Sequence, residues 1–373
     1  MSEQRNWSRR NFVQVMGATA LSARGLASSM AFAQGIGSPK HAVAYAGSGA
    51  GTIEVFAIRG GRAEKIQSIA SARPAALALA PNGRVLYAAN EIAEYRGLPR
   101  GTVEAFAINP DGTLTKLNRQ ELSLSATMPR HMAVSHDGKK LVVAAHGGGV
   151  YNTLAIEDDG SVGRVTGILK ETGDSDGRTT QPRATAFDRV GRIVSADQGT
   201  SRLRTLAHGD GLIPHTLSAT QQGDGPRHLA FAPEGKLLFV AHGDSLQSYE
   251  YNYEAGHVAT MRQHLAFSGV TDGAEVLAVH PSGRSLFACD AGGGVAAWKV
   301  NPSTGELKMA GRQAEEMGVL QALALSDDGR YITTINKERG AIWGASLDAT
   351  GAVSNARLLA RVEAPICLQV IYS

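Results

Sequence analysis

Apolar residues in this chain fall in short runs, many of them alternating with polar ones, and Asn-Gly, Asp-Gly or Ser-Gly often separates one run from the next. Thr102-Val-Glu-Ala-Phe-Ala-Ile108 shows the alternation in its plainest form. A period of two marks half-buried β-strands, and the Gly-containing pairs mark tight turns between them. The pattern also repeats. Six segments align without gaps on a glycine: Pro74 to Gly83, Pro129 to Gly138, Pro182 to Gly191, Pro226 to Gly235, Ala274 to Gly283 and Leu320 to Gly329. Each is followed by a second apolar run, such as Arg84 to Asn90 or Lys236 to His242, and usually by an alternating third.

A repeat of this size, with about four short antiparallel strands, is one blade of a β-propeller. One blade cannot bury both of its faces, so blades must stack around an axis. The chain ends supply one more copy. Ala42 to Ala46, Thr52 to Ile58 and Glu64 to Ile69 match the second, third and fourth strands of a repeat, and Pro365 to Tyr372 stands where a seventh first strand is due. The expectation is an all-β, seven-bladed propeller whose C-terminal strand pairs with the N-terminal strands and closes the ring, leaving no open edge there. Pro99 to Pro110 and Glu171 to Thr180 lengthen blades two and three and are expected as loops at the blade rims. The period of two excludes helical arrays, and Trp-Asp dipeptides are absent.

Length alone, at 373 residues, would suggest two or three domains, but the repeats reduce that to one, residues 34–373. Residues 1–33 read as a twin-arginine signal. Arg9 and Arg10 precede a weakly apolar stretch and an Ala31-Phe32-Ala33 cleavage site, so the mature chain is expected to begin at Gln34 in the periplasm or outside the cell, delivered by the twin-arginine export machinery. That stretch is too short and too weakly apolar for a stable membrane span. Its removal takes away four arginines and one glutamate and leaves 33 basic against 33 acidic residues, so no global basic footprint points to nucleic acid. Cys289 and Cys367 both sit in apolar strand-like runs, as buried free thiols do.

In an antiparallel blade the start of the first strand and the end of the second share one end. Around the ring those positions hold Arg73, Asn90 and Glu91; Arg130, His131 and His146; Arg183 and Asp197; Arg227, His228, His242 and Asp244; Glu275 and Asp290; and Gln321, Asn336 and Lys337. Cations, imidazoles and carboxylates gathered at one mouth of an apolar propeller suit a small anionic ligand. The structural alternative is that each arginine caps sheet carbonyls or pairs with a neighbouring aspartate.

From Tyr87-Ala-Ala-Asn-Glu91, Gly101 to Gly112, Leu117 to Gln120, Gly223-Asp-Gly-Pro-Arg-His-Leu-Ala-Phe231 and Pro365-Ile-Cys367, the chain resembles the seven-bladed propeller family of bacterial 6-phosphogluconolactonases and fungal carboxy-muconate cyclases, in register over about residues 40–373. The resemblance implies hydrolysis of a sugar lactone without metal or organic cofactor. Arg227-His228 survives in its family setting. Pro182-Arg183-Ala184-Thr185 stands where the family has Pro-His-x-His, His242-Gly243-Asp244 where it has Asn-Glu-Leu, and Asp290-Ala291-Gly292 where it has Asn-Arg-Gly.

Three readings follow. In the first, a lactone or related cyclic ester is hydrolysed, with His228 as general base and Arg227 stabilising the oxyanion, while Arg130, His131, His146, Arg183, Asp197, His242 and Glu91 bind the substrate. In the second, a non-catalytic propeller binds a small anion or a partner protein through the same mouth. In the third, a metal-dependent propeller lactonase would draw on Glu91, Asn90 and Asp197, hard oxygen ligands whose spacing is not diagnostic. The export reading has a direct check: with Arg9 and Arg10 both changed to lysine, uncleaved precursor is expected in the cytoplasm, and an unchanged periplasmic yield would refute it.

Overall fold

A computed structural model describes residues 41–372 except 172, 210, 220–224, 244, 267–275, 290–292 and 349. The signal expected at 1–33 lies outside the described residues, as do Asp244, Glu275, Asp290 and Ala291 among the mouth and family positions.

Seven four-stranded antiparallel sheets make up the described chain. Six are consecutive in sequence. The seventh, blade one, joins His41–Ser48, Thr52–Arg59 and Arg62–Ala70 to Pro365–Tyr372, with Ala42 opposite Tyr372 and Gly47 opposite Cys367. The inner strands are Pro74–Leu79, Pro129–Val134, Pro182–Phe187, His228–Phe231, Leu277–Val279, Ala322–Leu325 and Pro365–Tyr372, in blades two to seven and then one. Each packs against the inner strands of both neighbours, so the ring is closed. The repeated glycine of every copy has positive φ, from 68° at Gly283 to 91° at Gly191. It sits in the turn leaving the inner strand, where a Cβ would be strained; this is why the residue recurs.

The apolar core is divided into seven wedges, one per blade interface. Tyr87, Val103 and Ala105 of blade two meet Leu141, Val143 and Val150 of blade three, and Phe56 and Ile58 of blade one meet Ile335 and Ile342 of blade seven. Polar groups span the same gaps. The Tyr45 and Tyr87 hydroxyls each donate at 3.0 Å to a turn carbonyl of the next blade, of Gly112 and Gly160. Farther out, the Gln67 amide donates to Leu114 O at 2.9 Å and accepts from Leu114 N at 2.7 Å. Asn118 clamps Val162 in the same way, and Gln263 clamps Leu307.

One insertion differs from expectation. Thr102–Ile108 is the third strand of blade two, so the added length is residues 91–101, between second and third strands. The alternating pattern of 102–108 marks it as a strand, so the loop expected over Pro99 to Pro110 is confined to the residues before Thr102. That loop is tied to residues 122–128 by Gly101 N→Ala126 O, Ser125 N→Pro99 O and Met128 N→Ile92 O at 2.8–3.0 Å. Residues 171–181 link blades three and four.

Deleting Pro365 to Ser373 removes the inner strand of blade one, including buried Cys367, Leu368 and Val370. At roughly 1.5–3 kcal/mol for each buried side chain, against a total of about 5–15 kcal/mol, the truncated protein is expected to aggregate or lose its cooperative melting transition. A melting temperature equal to that of the full chain would show that the ends do not hold each other.

Candidate active site

The inner strands begin irregularly, and this aims side chains at the axis. In blade three, Pro129 faces Ala145 and His131 faces Ala144, leaving Arg130 as an extra residue in a bulge. Arg183 is extra in the same way between Pro182 and Ala184, and Ala75 between Pro74 and Ala76. In blade five Arg227 N donates to Ala241 O while His228 also faces Ala241. In blade seven Gln321 N donates to Ile335 O while Ala322 faces Ile335. A bulge lets two consecutive residues reach one side, which resolves how Arg-His pairs can both turn inward. Around the axis the positions read Ala75, Arg130, Arg183, Arg227, Val276, Gln321 and Ile366, and all seven line one cavity of about 350 Å³. Blades three, four and five supply a cationic arc, and the rest is aliphatic apart from Gln321.

Behind that arc His131 and His228 meet edge to face, their ring centroids 5.5 Å apart at 75°. Blade four, between them, carries the small Ala184 at the matching position. Each ring is fixed by the next inner strand: Thr185 N donates to His131 Nδ1, and Leu277 N to His228 Nδ1, both at 3.2 Å. An Nδ1 that accepts is unprotonated, which leaves Nε2–H as the polar group each neutral ring offers to the channel. Burial, with the Arg183 guanidinium nearby, pushes His131 down to about 4. Burial, His131 and Arg183 push His228 down to about 3. Both rings are therefore neutral at physiological pH.

Glu91 adds a carboxylate to the cavity wall. Arg130 Nε lies 2.8 Å from its Oε1, and Arg73 Nη2 donates to its Oε2 at 3.2 Å. The cavity thus gathers six of the expected residues: Arg227, His228, Arg130, His131, Arg183 and Glu91. His146, Asp197 and His242 do not line it. His146 opens a short 3-10 turn, His146–Gly148, after the second strand of blade three; burial and then Arg130 and Arg183 lower its pKa. His242 is buried. Asp197 is buried, and its Oδ1 accepts from Gln181 N (2.8 Å), Gly199 N (3.0 Å) and Thr200 N (3.3 Å), so it organises the loops flanking Arg183. Asn90 is likewise committed, donating to Ser71 and Glu104 and accepting from Thr102. Glu91 lines the cavity while Asn90 and Asp197 do not, and Asn90 and Asp197 Oδ1 are committed to other partners, so the three are not gathered at one site.

Gln369, in the middle of the closing strand, also lines the cavity, and its Nε2 donates to Leu77 O at 3.1 Å. A polar residue inside an otherwise apolar strand was the signal for it, but only the register shows which way it faces. Of the eight non-glycine residues described with positive φ, seven lie in loops at this mouth, including Arg73, Met128 and Ala364 directly before inner-strand prolines. Such conformations concentrate where surrounding structure enforces a site.

These features define a seven-bladed propeller with a polar, cation-rich channel mouth. The family model described as lactonase, 7-bladed beta-propeller, matches residues 36–273 and 241–366, and the chain belongs to that family. It is 24% identical over 286 residues to the 6-phosphogluconolactonase of Bacillus subtilis, covering 73% of this chain and 81% of that protein. A Staphylococcus saprophyticus protein of unassigned activity is 30% identical over 186 residues, 47% of this chain; the match spans about half of that relative, 53%. The solved Pseudomonas aeruginosa periplasmic gluconolactonase superposes with a TM-score of 0.79 at 19% identity, over 89% of this chain and 99% of that one. Kuenenia stuttgartiensis hydrazine synthase shares the fold too, with a TM-score of 0.61 at 14% identity over 80% of this chain and 95% of that one. The fold alone does not choose a reaction.

The histidine pair has a consequence for acid stability. Both folded-state pKa values lie below the usual imidazole value, so as pH falls below about 6.5 the unfolded chain takes up protons that the folded one refuses. Each histidine then lowers stability by about 1.4 kcal/mol per pH unit until its folded pKa is reached. Denaturant titrations between pH 7 and 4.5 are expected to show a shallower pH slope in the His131→Gln, His228→Gln double variant; an unaltered slope would refute the neutral pair.

Proposed function

We propose that the channel mouth hydrolyses a small sugar lactone or related cyclic ester, with an anionic substituent held by the arginine arc. One observation carries the reading: two neutral imidazoles, each with Nδ1 occupied by a neighbouring strand, stand beside Arg183 and Arg227 in a single cavity. In this reading the Nε2–H groups of His131 and His228 polarise the lactone carbonyl, and Arg227 and Arg183 stabilise the charge that gathers on its oxygen, as preoriented donors do at an oxyanion. The lone pair that a base at His228 would use is taken up by Leu277 N–H, so the base role passes to Glu91. Its carboxylate accepts a proton as water bonds to the carbonyl carbon, and returns that proton to the ring oxygen as the ring C–O bond breaks. The expected export signal places the reaction in the periplasm or outside the cell. A Pseudomonas relative described as a periplasmic gluconolactonase supports both the chemistry and the compartment.

A second reading, ligand binding without turnover, is favoured by Thr185, whose backbone N–H binds His131 where the family pattern has a histidine. A pH-stat panel of aldonolactones, run beside thermal shifts with the matching acids, separates the two. Hydrolysis is expected, with kcat/KM reduced about 10²–10³-fold in Arg227→Ala at near-constant melting temperature, and by a similar factor in Glu91→Gln. Stabilisation by the acids with no turnover of any lactone would favour the binding protein.

A further inference from the structure

Glu91, the base of the proposed reaction, stands in the cavity wall under cover. Arg130 Nε lies 2.8 Å from its Oε1, Arg73 Nη2 donates to its Oε2 at 3.2 Å, and Oε1 is shielded from solvent. The Glu91 side chain is 6% exposed, whereas that of Arg130 is 42% exposed and lines the same cavity. A base must come within hydrogen-bond reach of the water it deprotonates, and Oε1 in this arrangement offers no room for one. The two guanidinium groups flanking the carboxylate are not equivalent. Arg73 grips Glu91 twice, through its side chain and through its carbonyl, which accepts from Glu91 N at 2.9 Å, and it does not line the cavity. Arg130 occupies the bulge between Pro129 and His131, next to Arg183 in the cationic arc. Its contact with Glu91 is an ion pair with one partner half in solvent, and such pairs are weak enough to exchange.

We infer that Arg130 is a ligand-operated gate on Glu91: an anionic group entering the cationic arc draws the Arg130 guanidinium off Oε1 and opens that oxygen to water, while Arg73 holds the carboxylate in place. The exchange trades one anion for another on the same guanidinium, so its net cost is small, and the ligand shifts the equilibrium by its own attraction for the released cation. Arg130 acts through Glu91 and is a positioning residue. The arrangement keeps the base covered until a charged ligand has arrived, and it makes the charge of the ligand matter for turnover as well as for capture. An anionic substituent that only held the substrate would lower KM; one that also uncovers the base raises kcat. This inference rests on the hydrolase reading for the role of Glu91 and on the two ion pairs for the gate.

The test uses D-glucono-1,5-lactone and its 6-phosphate, one ring without and with an anion, on the wild-type protein and on Arg130→Ala, with sulfate as an anion supplied separately. In the wild type, kcat is expected to be higher for the phosphorylated lactone, and sulfate is expected to raise kcat for the neutral one about twofold to fivefold, a factor set by the strength of a partly exposed ion pair. Sodium chloride at equal ionic strength is the control and should raise it far less. In Arg130→Ala the neutral lactone should turn over faster than in the wild type by a similar factor, with no further gain from sulfate. An arginine that only holds substrate or structure gives neither gain, so a wild type that sulfate does not activate, or a variant no faster on the neutral lactone, would overturn the gate while leaving hydrolysis standing. Should Arg130→Ala not fold, the sulfate arm on the wild type decides alone. If no lactone is turned over, the hydrolase reading fails by itself, and the gate is then read by carbodiimide coupling of glycine ethyl ester to Glu91, followed by peptide mass mapping. Faster coupling in sulfate than in chloride supports it; equal rates overturn it.

Discussion

Each blade presents apolar side chains on both faces, so it is stable only when clasped between two others. The seven interfacial wedges meet this requirement, and the closing strand extends it to the blade shared by the chain ends. Burial scales with the area removed from water, and here nearly all of that area lies between blades. The tyrosine hydroxyls and the two-pronged amides span the same gaps at mid-depth and at the outer edge. They fix how the wedges sit against one another, and with that the width of the channel.

From this packing comes the position of the chemistry. With most strand interiors packed on their neighbours, the charged side chains that reach the cavity stand where inner strands start and second strands stop. The inner-strand bulges then swing a pair of residues from one blade toward the axis, and the small Ala184 leaves space for two histidines from the blades on either side to touch. The result is a chamber polarised across its width, with cations and imidazoles on one arc and aliphatic side chains with two amides on the other. A charged group in such a chamber has one favourable orientation.

The architecture was legible in the sequence because it is written in repetition. The glycine of each copy is demanded by a positive φ, and the isolated Pro365 to Tyr372 run had no other place to go. The location of the mouth followed from antiparallel geometry alone. Side-chain direction did not. Alternation assigns neighbours to opposite faces, and the bulges at Arg130 and Arg183 break that rule without any residue type to announce them. Asp197 was attractive as a charged residue at the mouth, yet three backbone amides claim its Oδ1. The tautomers of His131 and His228 depend on strands about 50 residues farther along the chain, contacts that no local pattern encodes.

Ser48 donates its hydroxyl to Glu363 O across 315 residues of sequence, and this long-range stitch shapes how the protein comes into being. During synthesis, His41–Ser48 leaves the ribosome long before Pro365–Tyr372, and until then its free edge is a template for any passing strand. Loop closure on that scale makes the final step slow. The cationic chamber, which needs every blade in place, is therefore an all-or-nothing property of a finished ring.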